Sequence, residues 1–355
     1  MAFRVDIRDA DFYLDKTLRM LEVHPTDRDK VVFKGSYTIP LRVGNEWFVV
    51  KQDVNISTAT DLDTGVVQPG RDYFVYACDT GSLVFKISLN STFPAGFNAD
   101  NSRKIGGFHT LCANVGTISG HPLSGYVAGD ILPASVWCLR HRAASLNNAG
   151  LVYDERTGLW VQIYLASDDG AGGVQSVYNA VILDTINWMD IVDRGGAVKM
   201  RLLSDNEFQV VARGSNEETN IQGSVDPVTT GGHVDTAGRR MISHIGCEDC
   251  CGAMWQWLRD QSFRVEGSHT HIENTAPVYT QNATTNATDL AAWAWYDLPG
   301  AKGSIYRQGT YGDVKLRAGG PWFSGATAGS RARDAGSWRW NANAAIGGRF
   351  CARSL

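Results

Sequence analysis

The sequence predicts an α+β chain in two parts. Residues 1–150 read as an all-β region, and residues 151–355 as a domain in which short helices interrupt strands and irregular chain. Three observations carry this. The first part is built of β-branched and aromatic runs separated by turn residues, with almost no helical period. Apart from a short N-terminal stretch near Asp11–Leu21, helix signals begin only after Leu151. From about Gly214 the chain is rich in Gly, Ser, Thr, Asn and Trp, and such chain stays compact only if its tryptophans form core and its glycines serve irregular backbone.

In chain order, a short helix is expected near Asp11–Leu21. "VVFKGSYTIPLRV" and "EWFVVKQDVNIST" follow as strands. "RDYFVYACDTGSLVFKIS" is two alternating runs joined by Asp79-Thr80-Gly81, a hairpin signal. "GLVYDERTGLWVQIYLAS" reads as strand, turn, strand. "DTINWMDIVDR" is a short helix from Asp184. In "RLLSDNEFQVVARGS", Ser204 and Glu207 have capping-box spacing. Phe208, Val211 and Ala212 then share one helical face, and Gly214 is placed to stop the helix. The Gly/Asp/Asn-rich stretch after it is a long loop ordered by its own hydrogen bonds, and "NTAPVYTQNATTNATDL" is a polar surface loop.

Charge narrows the function. Lys and Arg number 33 against 37 Asp and Glu, a net charge of -4, which disfavours a general nucleic-acid or membrane-surface protein. From Gly329 onward the acid Asp334 stands against Arg331, Arg333, Arg339, Arg349 and Arg353. No apolar run reaches the ~18–20 residues of a membrane helix. The opening "MAFRVDIRDADFYLDK" has no apolar signal-peptide core, so synthesis in the cytoplasm is expected. Seven cysteines without such a core do not form a disulfide framework.

Four ordered segments carry a resemblance. "RLLSDNEFQVVARGS", "GAMWQWL", "RAGGPWFSG" and "GGRFCAR" resemble, in the same order, motifs of the formylglycine-generating-enzyme type of C-type-lectin fold. Within that fold, "GGPWFSGATAGSRARDAGSWRWNANAAIGGRFCARSL" is similar to the end of variable proteins of diversity-generating retroelements, phage tropism determinants among them. The resemblance implies a homotrimeric tail protein of the virion, carried beside other virion tail proteins. It implies that a host cell-surface protein or glycan is bound by a C-terminal segment, about 318–355, whose codons a reverse transcriptase rewrites. Residues 1–150 would then serve oligomerisation and virion attachment. No nucleic acid, membrane insertion, catalysis or cofactor is implied.

Within the segment, Gly329, Arg331, Arg333, Gly347, Gly348, Arg349 and Arg353 read as a constant frame. The ligand-binding candidates lie between them: Pro321, Phe323, Ser324, Ala326, Thr327, Gly336, Ser337, Trp338, Trp340, Ala342, Asn343, Ala344 and Phe350. Exposed Trp and Phe give a binding surface large contact area at low entropic cost. Trp338 and Trp340, two apart, face one side if the chain is extended. Trp255, Trp257 and Trp322 are expected in the core.

Two other readings compete. Cys247 and Cys250 in "CEDCC" have C-x-x-C spacing, and with His244, His233, His269 and His271 nearby they raise a metal site or a metal-dependent oxidase. Buried thiols or one local disulfide are the competing structural explanation. Structural calcium, known in some members of the fold, would need carboxylates such as Asp205, Glu207, Asp226, Asp235 and Asp313. A purely structural virion protein is the third reading.

Overall fold

The computed structural model describes residues 19–37, 39–264, 294–297, 304–307 and 312–355. The chain is mostly β, with two α-helices among the described residues. It divides into two compact units, and the division is not a single cut. The first holds 1–111, 128–144 and 353–355; the second holds 112–127 and 145–352.

The first unit contains β1 (Leu21–Val23), β2 (Lys30–Phe33), β3 (Ile39–Val43), β4 (Glu46–Val50), β5 (Val54–Ser57), β6 (Asp72–Asp79), β7 (Leu83–Ser88), β8 (Ser102–His109) and β9 (Trp137–Cys138). They form sheets β1-β2-β5, β3-β4 and β7-β6-β8-β9. The β6–β7 turn is the one foreseen at Asp79-Thr80-Gly81. Gly81 takes φ +87° and its N–H donates to the Asp79 carboxylate at 2.8 Å, which fixes the register from Asp79↔Leu83 onward. Alternating inward residues of these strands, Val31, Phe33, Leu41, Val43, Val75, Ala77 and Ile87 among them, make one core. Leu21, placed by sequence at the end of a helix, opens β1; residues 11–18 of that expected helix lie outside the described residues.

The second unit contains β10 (Leu151–Asp154), β11 (Leu159–Gln162), β12 (Ser167–Asp168), β13 (Val174–Gln175), α1 (Trp188–Ala197), β14 (Arg201–Leu202) and α2 (Asp205–Val211). β15 (Trp255–Arg264), β16 (Ala294–Asp297), β17 (Ser304–Arg307), β18 (Gly312–Gly319), β19 (Gly329–Trp338), β20 (Ile346–Gly348) and β21 (Phe350–Arg353) follow. A six-stranded sheet runs β16-β17-β19-β18-β15-β20, and a four-stranded one runs β10-β11-β21-β14.

Helix α2 begins where the spacing placed it. Ser204 accepts from the Glu207 N–H at 3.3 Å, and the Glu207 carboxylate accepts from the Ser204 N–H at 2.7 Å. Arg201 grips the same carboxylate at 2.7 Å, which outweighs its partial burial and holds Glu207 down to about 2. Helix α1 starts later than expected from Asp184, because Asn187 is its N-cap and accepts from the Met189 and Asp190 N–H groups. Its Gly195 is required by packing: a Cβ there would stand 2.3 Å from the Phe350 ring.

Candidate functional site

The C-terminal segment is held by buried charge. Arg333 on β19 donates to the Asp205 carboxylate at the start of α2, to the Ala332 carbonyl at 2.7 Å, and lies 5.2 Å from the centre of the Phe208 ring. Arg349, between β20 and β21, is buried and donates to the carbonyls of Gln162 and Ile163, both at 2.6 Å, to the Glu248 carbonyl, and to Gln256 Oε1 at 3.2 Å. Arg317 on β18 pairs with Asp334 on β19 and packs near the Trp255 and Trp257 rings. Arg331 and Arg353, read as frame residues, are exposed. In a regular strand, residues two apart share a face, so Arg331 would turn in with Arg333. The β18–β19 register slips between Ala318↔Arg333 and Gly319↔Gly329, and across that irregular stretch the two arginines part.

Three anchors were not singled out from sequence. Glu217 accepts from Ser330 Oγ at 2.6 Å and from its N–H at 3.0 Å. Asn220 donates to the Trp322 carbonyl. Gln256, the polar residue of "MWQW", orients Arg349. A polar residue between two buried tryptophans was a readable sign of the last.

The ligand-binding candidates separate into two groups. Phe323 (64% exposed) and Trp340 (58%) stand out, and Ala326, Ala342, Asn343 and Ala344 are exposed with them. Ser324, Thr327 and Trp338 are half-buried. Trp338 and Trp340 stack with ring centres 5.2 Å apart and planes 8° apart, and Phe323 meets Trp322 edge-on at 5.3 Å. Trp322 itself packs against Ile182, Met254 and Met241, while Trp255 and Trp257 are buried.

Four candidates are corrected: Pro321, Gly336, Ser337 and Phe350 are buried. Pro321 bridges to Ala253, and Gly336 and Ser337 lie inside β19. Phe350 pairs with Leu202 on β14 and fills the space over Gly195. Asn343, although exposed, also shapes its own turn. Its side-chain oxygen accepts from the Ala345 N–H at 2.9 Å and its carbonyl from the Thr185 N–H at 3.2 Å.

The exposed positions sit on two turns. One follows Gly319, which takes φ +92° and whose Cβ would stand 2.3 Å from the Cys250 carbonyl. The other, 339–345, is pinned by Trp188 N–H to the Arg339 carbonyl at 2.9 Å and Trp255 N–H to the Ala345 carbonyl at 2.9 Å.

The "CEDCC" residues point inward. Cys247, Cys250 and Cys251 are free, buried thiols, and burial pushes Cys247 and Cys251 well above the ordinary thiol range. His244 stacks edge-on against His121 at 4.8 Å. His269 and His271 lie outside the described residues, as does the Asp313 side chain. The calcium candidates do not converge: Asp205 holds Arg333, Glu207 holds Arg201, and Asp235 accepts from Thr219 Oγ1 at 2.8 Å and two backbone N–H groups. No metal-competent group of three His, Cys, Asp or Glu occurs among the described residues.

Behind the thiols, Arg240 clasps Glu248 with two contacts of 2.7 Å, and His233 Nδ1 meets the buried Asp249 at 2.9 Å. The Asp249 charge raises His233 above its ordinary 6.5. A raised histidine stabilises the fold fully below its unfolded value and loses that contribution as pH climbs through the folded one. Burial acts oppositely on His121, drawing it to about 4, so that residue costs stability as pH falls below 6.5. Comparison with His233→Gln therefore isolates the pair. Wild type is expected to exceed the variant in melting temperature most at pH 6, with the gap narrowing toward pH 9. An unchanged gap would refute the assignment.

Residues 25–138 match the family described as Mtd second domain. The tail fiber receptor-binding protein of Bordetella phage BPP-1 is 25% identical over 313 residues, spanning 80% of this chain and 79% of that protein. The chain is similar to the phage tropism determinants. Solved structures of the Major Tropism Determinant U1 and I1 variants share the fold with a TM-score of 0.71 at 24% identity, covering 96% of this chain and 85% of each of theirs. The resemblance read from the terminal motifs and the match to residues 25–138 thus arise from different parts of the chain and agree.

Proposed function

We propose that this chain is a receptor-binding protein of a phage tail, a tropism determinant whose C-terminal segment meets the host. The observation that carries the reading is the separation of duties in that segment. Phe323, Trp340 and Ala342–Ala344 are exposed on turns, while Arg333, Arg349 and the Arg317–Asp334 pair of the same domain are buried. A surface can change without loss of fold only if its fold is held elsewhere. The similarity to the Bordetella phage tail fiber receptor-binding protein supports the same reading.

We further infer that the second unit is a C-type-lectin fold of the formylglycine-generating-enzyme subtype. The ligand is a host cell-surface protein or glycan, the chain is a virion component assembled as a homotrimer with other tail proteins, and the segment about 318–355 is diversified by a retroelement. Symmetric copies would add avidity to a modest single-site affinity. The oxidase reading has less support, because Cys247 and Cys250 are buried and burial pushes the Cys247 thiol well above its ordinary range. The test is competition: purified full-length protein is expected to block adsorption of the phage that carries this gene. Undiminished adsorption at saturating protein would contradict the reading.

A further inference from the structure

Exposed apolar side chains are not confined to the changeable turns. Val181, Val225 and Val228 are 68%, 58% and 70% exposed; Val181 and Val228 lie on one two-stranded ribbon, and Val225 stands three residues before Val228. The ribbon's two segments are tied by Asn179 N–H to the Thr230 carbonyl at 3.0 Å, Thr230 N–H to the Ala180 carbonyl at 3.0 Å, and Ile182 N–H to the Val228 carbonyl at 3.1 Å. Ile182 points inward against Trp322, so its neighbour Val181 points out.

The ribbon is continuous with both turns of the candidate surface. At one side Asn220 donates to Ser224 Oγ at 2.8 Å and to the Trp322 carbonyl, beside exposed Phe323. At the other, Thr185 N–H donates to the Asn343 carbonyl at 3.2 Å, beside exposed Trp340. Patches of contiguous exposed apolar surface on a folded domain mark interaction sites.

The ribbon also carries unneutralised charge. Val181 pairs antiparallel with Thr229, and Ile182 N–H donates to the Val228 carbonyl, a register that continues to set Asp184 opposite Asp226. Partial desolvation, and then the like charge of Asp184, raise the Asp226 carboxyl. Thr185 Oγ1 donates to Asp184 at 2.7 Å, and no lysine or arginine among the described residues pairs with either acid. A two-fold contact of this patch with itself would set carboxylate against carboxylate, which disfavours an isologous pairing of copies; in a three-fold assembly the patch would meet a different face.

The geometry points to a constant half of the receptor surface: Val181, Val225 and Val228, with the Asp184 and Asp226 carboxylates beside them, form a fixed wall that takes a protein segment presenting a lysine or arginine among apolar side chains. This rests on the receptor-binding reading above. The changeable turns would then set which target is held, while the wall favours one chemical class of segment across all drafts of the turns.

A displayed library of random peptides, selected on the full-length chain at low salt, tests it. Selected peptides are expected to carry Lys or Arg next to apolar residues and to weaken as salt rises. They are expected to bind the Asp184→Asn/Asp226→Asn double variant about tenfold more weakly, the scale of losing a rim charge contact. Affinity that falls with Trp340→Ala and Phe323→Ala but not with the aspartate pair overturns the wall and leaves the receptor reading standing. Peptides indifferent to both sets overturn both. A lower oligomeric state of Val181→Ser/Val228→Ser by sedimentation would make the ribbon a contact between copies and also overturn the wall.

Discussion

Arg349→Met is expected to destabilise the second unit by at least about 3 kcal/mol, while Arg331→Met changes stability by no more than about 0.5 kcal/mol. The two arginines lie in one short segment, and sequence alone placed both in its frame. Arg349 is buried and holds the carbonyls of Gln162, Ile163 and Glu248 and the side chain of Gln256. Methionine fills much of the space but donates nothing, and each buried acceptor left bare costs about 1–3 kcal/mol. A domain's whole stability is about 5–15 kcal/mol, so the loss is a large share of it. Arg331 is exposed and spends its charge in water. Denaturant midpoints read by tryptophan fluorescence would resolve the difference, since Trp160, Trp255 and Trp257 are buried in this unit. Equal midpoints for the two variants would remove Arg349 from its anchoring role.

The second expected result is the converse, a large loss of binding with little loss of fold. Trp340→Ala and Phe323→Ala are expected to weaken attachment to the host by about 2 kcal/mol or more, roughly 30-fold, as exposed aromatic anchors do. Stability should fall by about 1 kcal/mol or less for each. Trp340 loses its stacking on Trp338, and Phe323 its edge contact with Trp322. Phe350→Ala supplies the contrast. Buried over Gly195, it is expected to cost about 3–5 kcal/mol in stability. Adsorption of phage carrying each variant, measured beside the melting temperature of the purified protein, checks all three. Trp340→Ala that melts early and adsorbs normally would make that aromatic core rather than contact.

What could be read from the sequence was what local spacing encodes. The Ser204–Glu207 cap and the Asp79–Gly81 turn are set by residues a few positions apart, and both stand where they were expected. Burial of Trp255 and Trp257 followed from a Gly-rich chain needing large side chains for a core. What escaped was set by distant partners. The slipped register against β18 decides that Arg333 turns in and Arg331 out, where a regular strand period would set both on one face. Phe350, an aromatic lying between frame residues, reads from sequence as a ligand-binding candidate that extends the aromatic patch. Its burial depends on Gly195 of α1, far away in the chain. The Ile182–Val228 ribbon was hidden inside a loop-like stretch whose pairing is long-range.

The central claim is that one part of the segment changes while another holds the fold. Sequencing the 3′ end of this gene in many sibling isolates tests it most directly. Substitutions are expected to gather at Phe323, Ala326, Trp340, Ala342 and Ala344, and to spare Arg333, Arg349, Gly319 and Phe350. Substitutions spread evenly along the gene, or concentrated at the buried arginines and Phe350, would contradict it.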